Sequence, residues 1–310
     1  MNLFTTQINN MDDWEKAFQS IPAFAPLVEH IFQRENLPMA TIEQMKPGTN
    51  AVFKVGDYVI KIFIPPGLNE DGFGTDVNVE IFGMRWANAQ GVPSPKLIAE
   101  GVVADKYCFH YIVMEYIHGV SLDDIEDNLR YEDKVLIGQN IRKITDKLNR
   151  QCGNFTPIDA IQYAISLNNW AEEGFPASLL EERLAYLNGL HIREDDKVYC
   201  HADLHCENVL VDEQMNVYLI DFADAMYAPA GYEEVYVASA LFCFERAYME
   251  GYYGEYATAD LVDLCMTWLP VHAWGWATIQ GNLKTVQDIT SFDVMRQRLY
   301  SFIENEKQKP

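Results

Sequence analysis

Apolar positions recur at helical spacing at the start of the chain. Trp14, Ala17 and Phe18, then Leu27, Val28, Ile31 and Phe32, predict two amphipathic helices over 11–20 and 24–34. From residue 39 to 64 the period shortens to two. Ala51, Phe53 and Val55 alternate, as do Tyr58, Ile60, Ile62 and Ile64, and Gly56-Asp57 between them suits a tight hairpin turn. That is a small antiparallel sheet. A helix is expected over 75–88, and strands over 96–104 and 107–116. Ser121-Leu122-Asp123-Asp124 reads as a helix cap with an acidic first turn. From 121 onward the pattern is mostly helical. Val135, Ile137, Ile141, Ile144 and Leu148 mark one long helix. Further helices are expected over 158–171, 178–190, 233–249, 257–268, 272–279 and 286–304. One hairpin interrupts them: Val209-Leu210-Val211 and 217–220 are apolar runs separated by the polar turn 212–216.

The chain has 310 residues, enough for one large or two modest domains, and 49% hydrophobic with 22% charged content is ordinary for a soluble globular protein. No apolar run approaches the roughly 18 residues of a membrane span. The N-terminal stretch lacks a basic region followed by an apolar core, so it is not a secretory signal. Six cysteines are scattered without a paired C-x-x-C spacing, which suits reduced thiols in the cytoplasm. The net charge of −23 argues against a nucleic-acid partner and against an anionic membrane surface. It would attract a polycationic small molecule; simple solubility is the plainer reading.

The chemistry concentrates between Tyr199 and Asp221. Asn208 stands at the mouth of the hairpin's first strand and Asp221 just past the end of its second. Antiparallel pairing would bring an amide oxygen and a carboxylate together. With Asp203 on the preceding loop, this suits holding Mg²⁺ beside a general base, since Mg²⁺ prefers oxygen and takes few ligands from protein. Cys200, His201, His205 and Cys206 have zinc-ligand chemistry, but C-x5-C overlapping H-x3-H in one sharply turning segment is the wrong spacing.

The order H-x-D-x-x-x-x-N, then I-D-F, resembles the catalytic loop and metal-binding segment of the kinase fold. His201-Ala202-Asp203-Leu204-His205 and Ile220-Asp221-Phe222-Ala223-Asp224 resemble the aminoglycoside phosphotransferase family more than protein kinases. Protein kinases usually carry Arg and Gly where this chain has Ala202 and Ala223. Without that Arg, the resemblance implies no activation-loop switch. It implies an α+β, two-lobed protein-kinase-like fold. An N-terminal antiparallel sheet lobe (1–117, nucleotide-binding) would precede a larger, mainly helical C-terminal lobe (118–310).

The resemblance also assigns roles. Asp203 would be the catalytic base, and Asn208 and Asp221 would hold Mg²⁺. Lys61, in V-I-K-I-F, would contact the α/β-phosphates of ATP or GTP. The strand alone allows Lys61 to face solvent. Its partner would be Glu80, with Asp76 as the alternative. A single-glycine loop, Pro47-Gly48-Thr49-Asn50, stands where G-x-G-x-x-G is usual; the backbone N–H groups of Thr49 and Asn50 could still reach a phosphate. Ile112 to Gly119 resembles the hinge, where the Glu115 carbonyl and the Ile117 N–H would hold the base. Met114 would border it, or be ordinary core. The acceptor is a small hydroxyl-bearing molecule, first an aminoglycoside or similar antibiotic. The alternatives are a metabolite of the choline, homoserine, methylthioribose or fructosamine type, or no catalysis at all, only nucleotide binding. The chain is expected to act as a monomer or homodimer.

Overall fold

Residues 2–46, 48–68, 77–152, 160–166 and 174–309 are described by a computed structural model. The chain divides into two compact units. The first comprises Met1–Ala89, Ser94–His118 and the short segment Ile220–Asp224.

In the first unit the predicted helices are α1 (Met11–Ala17) and α2 (Ile21–Arg34). Asn10 caps α1 by accepting the Asp13 N–H at 2.9 Å. α2 starts three residues before its first deeply buried aromatic. Pro22 lies in its first turn, where a missing N–H costs nothing. Phe24, Leu27, Val28, Ile31 and Phe32 form its buried stripe. The sheet comprises β1 (Ile42–Gln44), β2 (Ala51–Val55), β3 (Tyr58–Ile62), β4 (Leu97–Ala104) and β5 (Cys108–Glu115), with α3 (Val77–Ala89) between β3 and β4. Strand order is β1-β2-β3-β5-β4, antiparallel throughout. The β2–β3 hairpin pairs Val55 with Tyr58, and Gly56 takes φ +62° in its turn, as a tight hairpin requires. Phe4, Phe24, Phe53 and Phe109 interlock beneath the sheet, and Trp14 seals the cluster by donating Nε1 to the Thr49 carbonyl at 2.8 Å.

The second unit comprises Gln90–Pro93, Gly119–Leu219 and Ala225–Pro310. β6 (Val120–Ser121) leads into α4 (Leu122–Ile125). Ser121 holds the N-cap position, yet its hydroxyl donates to the Cys206 carbonyl at 3.1 Å instead of capping. The long helix is α5 (Tyr131–Leu148), followed by α6 (Ala160–Ser166) and α7 (Ala177–Gly189). The outer residues of the expected helix over 158–171 lie outside the described residues. β7 (Lys197–Cys200) precedes the hairpin β8 (Val209–Val211) and β9 (Val217–Leu219), and β10 (Met226–Pro229) follows. β6 adds to the hairpin in the order β6-β8-β9, while β7 and β10 form a separate antiparallel pair that hydrophobic period did not reveal.

The single helix expected over 233–249 is two. α8 (Ala230–Tyr236) runs into a π turn over Val237–Leu241. Cys243 and Phe244 then take left-handed backbone angles, and α9 (Arg246–Tyr253) starts afresh. α10 (Thr258–Trp268), α11 (Gly275–Leu283) and α12 (Phe292–Gln308) complete the chain. α12 starts six residues later than the apolar pattern predicts, because Ser291 caps it by accepting the Val294 N–H at 3.2 Å. α5 and α9 meet backbone to backbone. A Cβ on Gly251 would lie 2.1 Å from the Val135 carbonyl, and one on Gly138 2.3 Å from that of Tyr248. No helix among the described residues is long and apolar enough to cross a membrane.

Candidate active site

Lys61 is the fourth residue of β3, a strand covered on both faces, so the alternation that could have turned it to solvent leads inward instead. Only 5% of it is exposed. Glu80 occupies the first turn of α3 on a buried stripe at i, i+3, i+4 and i+7, shared with Gly83, Met84 and Ala87. Its Oε2 is 2.7 Å from Lys61 Nζ. Asp221 Oδ1 is 2.9 Å from the same nitrogen. Asp221 takes φ +61°, a left-handed conformation uncommon for residues with a Cβ but one that aspartate reaches more readily than most. Asp76, the alternative partner, lies outside the described residues.

The electrostatics follow from the burial. Burial works against the charged form of Lys61. The Asp221 and Glu80 carboxylates outweigh that, and Nζ holds its proton more tightly than a free lysine does. Burial pushes Glu80 up to about 7, with Lys61 opposing the rise and Asp221 adding to it. Such a trio is no device for stability, since desolvating charges offsets most of their attraction. Its product is a fixed ammonium with a carboxylate, Asp221, that is 42% exposed.

The neighbouring candidates are placed less symmetrically. Thr49 and Asn50 lead into β2. The Thr49 carbonyl is taken by Trp14, and Asn50 Oδ1 accepts the Ile64 N–H at 3.1 Å, so that side chain pins the end of β3. Pro47 lies outside the described residues. Met114 is buried within β5, paired with Val59 and Leu97. Glu115 ends the strand and donates its N–H to the Lys96 carbonyl. Tyr116 donates to Asp57, which fixes the backbone just before Ile117.

In the second unit, β7 delivers the loop that carries Asp203. Ala202 takes φ +67° immediately before it. The Ala202 N–H donates to Glu233 Oε2 at 3.0 Å. Glu233 is 1% exposed on α8; burial pushes its carboxyl up to about 7, while N–H groups of Ala202 and His201 pull it down. Asn208 closes a 3₁₀ turn, Cys206–Asn208, and its Nδ2 donates to both the carbonyl and the Oδ2 of Asp203, each at 2.9 Å. His205 Nε2 lies 3.4 Å from Asp203 Oδ2 and 3.2 Å from Asn208 Nδ2. With both amide protons directed at Asp203, the Asn208 Oδ1 is left as the acceptor end of its amide. Counted along the chain from the pair Val209↔Leu219, Asn208 comes one residue before Val209 and Asp221 two residues after Leu219.

Sequence reasoning named Lys61, Glu80, Asp203, Asn208 and Asp221, and the structure places Lys61, Glu80 and Asp221 in one cluster and Asp203 and Asn208 in another. It missed Glu233, which holds the peptide before Asp203. The available signal for Glu233 was a carboxylate set on an apolar face among Tyr232, Val235 and Tyr236.

The phosphotransferase enzyme family matches residues 54–274, more than half of the chain. No curated protein matches it. Among solved structures it is similar to a choline/ethanolamine kinase family protein from Mesorhizobium loti: 16% identity over 92% of this chain and 96% of that one, TM-score 0.54. It is also similar to aminoglycoside phosphotransferase APH(4)-Ia in ternary complex with ADP and hygromycin B, at 16% identity over 91% and 99%, TM-score 0.54. A third is the GDP complex of aminoglycoside 2'-phosphotransferase-IIIa, at 14% identity over 90% and 98%, TM-score 0.53. At such identities the likeness is one of fold, and it fixes the α+β kinase-like architecture. By its family match, this chain belongs to the phosphotransferase enzyme family.

Proposed function

We propose that this phosphotransferase moves the γ-phosphoryl group of a nucleoside triphosphate to a hydroxyl of a small cationic molecule, with an aminoglycoside or similar antibiotic as the first choice. The observation that carries the reading is the buried Lys61 ammonium held between Glu80 and Asp221. It is a fixed positive charge at the strand position where this family binds the α/β-phosphates. The complexes of similar folds with ADP and with GDP support a nucleotide co-substrate without choosing between bases.

Asp203 accepts, or at least orients, the proton of the acceptor hydroxyl. The Asn208 amide orients the Asp203 carboxylate through Oδ2. Lys61 aligns the phosphates, and Glu80 keeps its ammonium in place. The acceptor oxygen bonds to the γ-phosphorus as the bond to the bridging oxygen breaks, and the diphosphate leaves. The Asn208 Oδ1 and the partly exposed Asp221 carboxylate are hard oxygen donors that fit Mg²⁺. When bound, Mg²⁺ would neutralise charge on the phosphates. Rate enhancement in such a site comes from positioning and charge stabilisation more than from covalent chemistry. We place the reaction in the cytoplasm, in keeping with the unpaired cysteines.

The structural likeness to a choline/ethanolamine kinase family protein favours a second reading, a small cationic metabolite as acceptor. One screen separates the two: Mg-ATP and Mg-GTP consumption against aminoglycosides, macrolides, choline and other hydroxylated metabolites. Stimulation by one class identifies the acceptor. Nucleotide binding without stimulation by any of them supports a non-catalytic protein.

A further inference from the structure

The start of the chain is fastened to the sheet before α1 begins. Asp105 Oδ2 accepts the Leu3 and Phe4 N–H groups at 2.8 and 2.9 Å. The Tyr107 hydroxyl accepts the Ile8 N–H at 2.7 Å and donates to the Ile8 carbonyl at 3.0 Å. Trp14, in the middle of α1, is 0% exposed. Its indole stacks on Phe18 (centroids 6.2 Å apart, planes at 21°) and meets Phe24 edge-on (5.9 Å, 86°). The ring is therefore held from several sides, and its Nε1–H donates to the Thr49 carbonyl at 2.8 Å.

That one bond orients a peptide. The chain contains no cis peptide, and a trans peptide sets its C=O and N–H on opposite sides. With the Thr49 carbonyl turned to the indole, the Asn50 N–H of the same peptide points away from the core that Trp14 closes. The turn has room on its outer side: Gly48 and Thr49 are exposed, and a Cβ on Gly48 would meet no atom of the described residues within 4 Å. A second tie holds the Asn50 side chain. It is buried, and its Oδ1 accepts the Ile64 N–H at 3.1 Å. Ile64 is three residues beyond Lys61, so the turn is tied to α1 at one point and to the Lys61 strand at the next.

We infer that Trp14 is a positioning residue for the nucleotide: its indole N–H fixes the Thr49–Asn50 peptide so that the Asn50 N–H is presented outward to a phosphate oxygen, in register with Lys61. The leading helix α1 thereby belongs to the nucleotide-binding apparatus and is more than a cover for the sheet. This inference rests on the nucleotide part of the proposed function, not on the choice of acceptor.

Two variants separate the bond from packing. W14F keeps an aromatic ring and removes the donor. F32L takes stability from the same core, where Phe32 packs edge-on to Tyr58, and leaves the indole bond in place. The measurements are melting temperature, the Kd for Mg-ADP by calorimetry well below melting, and exchange of the Trp14 indole N–H by NMR. Both variants melt lower than the wild type. In W14F the Kd rises about fivefold, the worth of one hydrogen bond, while in F32L it stays within about twofold. Because coupling is reciprocal, saturating Mg-ADP slows the wild-type Trp14 indole exchange by a similar factor of about five. An unchanged Kd in W14F, a Kd that follows melting temperature across both variants, or indole exchange indifferent to Mg-ADP overturns the role of Trp14. A wild type that binds no Mg-ADP overturns the nucleotide reading itself, and this inference with it. A wild type that binds Mg-ADP but transfers phosphate to no acceptor removes the transfer reading alone, and the Kd comparison still decides the role of Trp14.

Discussion

Lys61 and Asp203 answer different questions about the reaction, and their variants should fail differently. Replacing Asp203 with Ala removes the proposed proton acceptor but none of the Lys61 contacts. Turnover should fall by about 10²- to 10⁴-fold while nucleotide affinity, measured by calorimetry, stays within a few-fold. Unchanged turnover would remove Asp203 from its role. Glu80 offers a test by pH. Its carboxyl is pushed up to about 7 in the fold against 4.5 for an ordinary glutamate, so folding takes up a proton between those values. The associated stability is fully present below about 4.5 and is lost as pH rises through about 7. Glu80→Gln deletes that titration. The urea stability of the wild type relative to Glu80→Gln should therefore fall by about 2 kcal/mol between pH 5 and 8. A difference that stays flat with pH would show that Glu80 is ionised at ordinary pH. Lys61, whose proton is held more tightly than usual, keeps its contribution throughout that window.

Elements carried unequal amounts of legible information. The β2–β3 hairpin was readable because alternation and a Gly-Asp turn coincide, and α5 because its apolar stripe is long and uninterrupted. β7 and β10 were not readable. Each is four residues long, and their pairing joins positions almost thirty residues apart, which no local period encodes. The break between α8 and α9 was hidden for another reason. The buried positions continue through Val237 to Leu241, and only the backbone at Cys243 and Phe244 ends the helix. At the site, Asp203, Asn208 and Asp221 announced themselves by spacing. Glu233 did not, since it acts through a backbone peptide distant in sequence. The α5–α9 contact was also invisible, although two small residues mediate it. Gly251→Ala would push a methyl into the Val135 carbonyl, where backbone on both sides resists movement. We expect a loss of about 2 kcal/mol, seen as a melting temperature several degrees lower. An unchanged melting temperature would mean that the helices are further apart.

For the whole molecule, the question is whether a net charge of −23 serves the acceptor or only solubility. The two substrates of the proposed reaction carry opposite charge, and that makes the question answerable. A strongly acidic protein attracts a polycation and repels a nucleotide, and salt screens both effects over a Debye length of about 8 Å at physiological ionic strength. If the field recruits a cationic acceptor, raising salt from about 50 to 300 mM should raise its KM several-fold, while KM for the Mg-nucleotide falls or stays level. A neutral acceptor of the same enzyme should show no such rise, which separates field from general salt damage. Should the KM of a polycationic acceptor stay flat across that range, the acidity would serve solubility alone. The choice among acceptors would then rest on contacts within the binding site, with Lys61, Glu80 and Asp203 unaffected by the result.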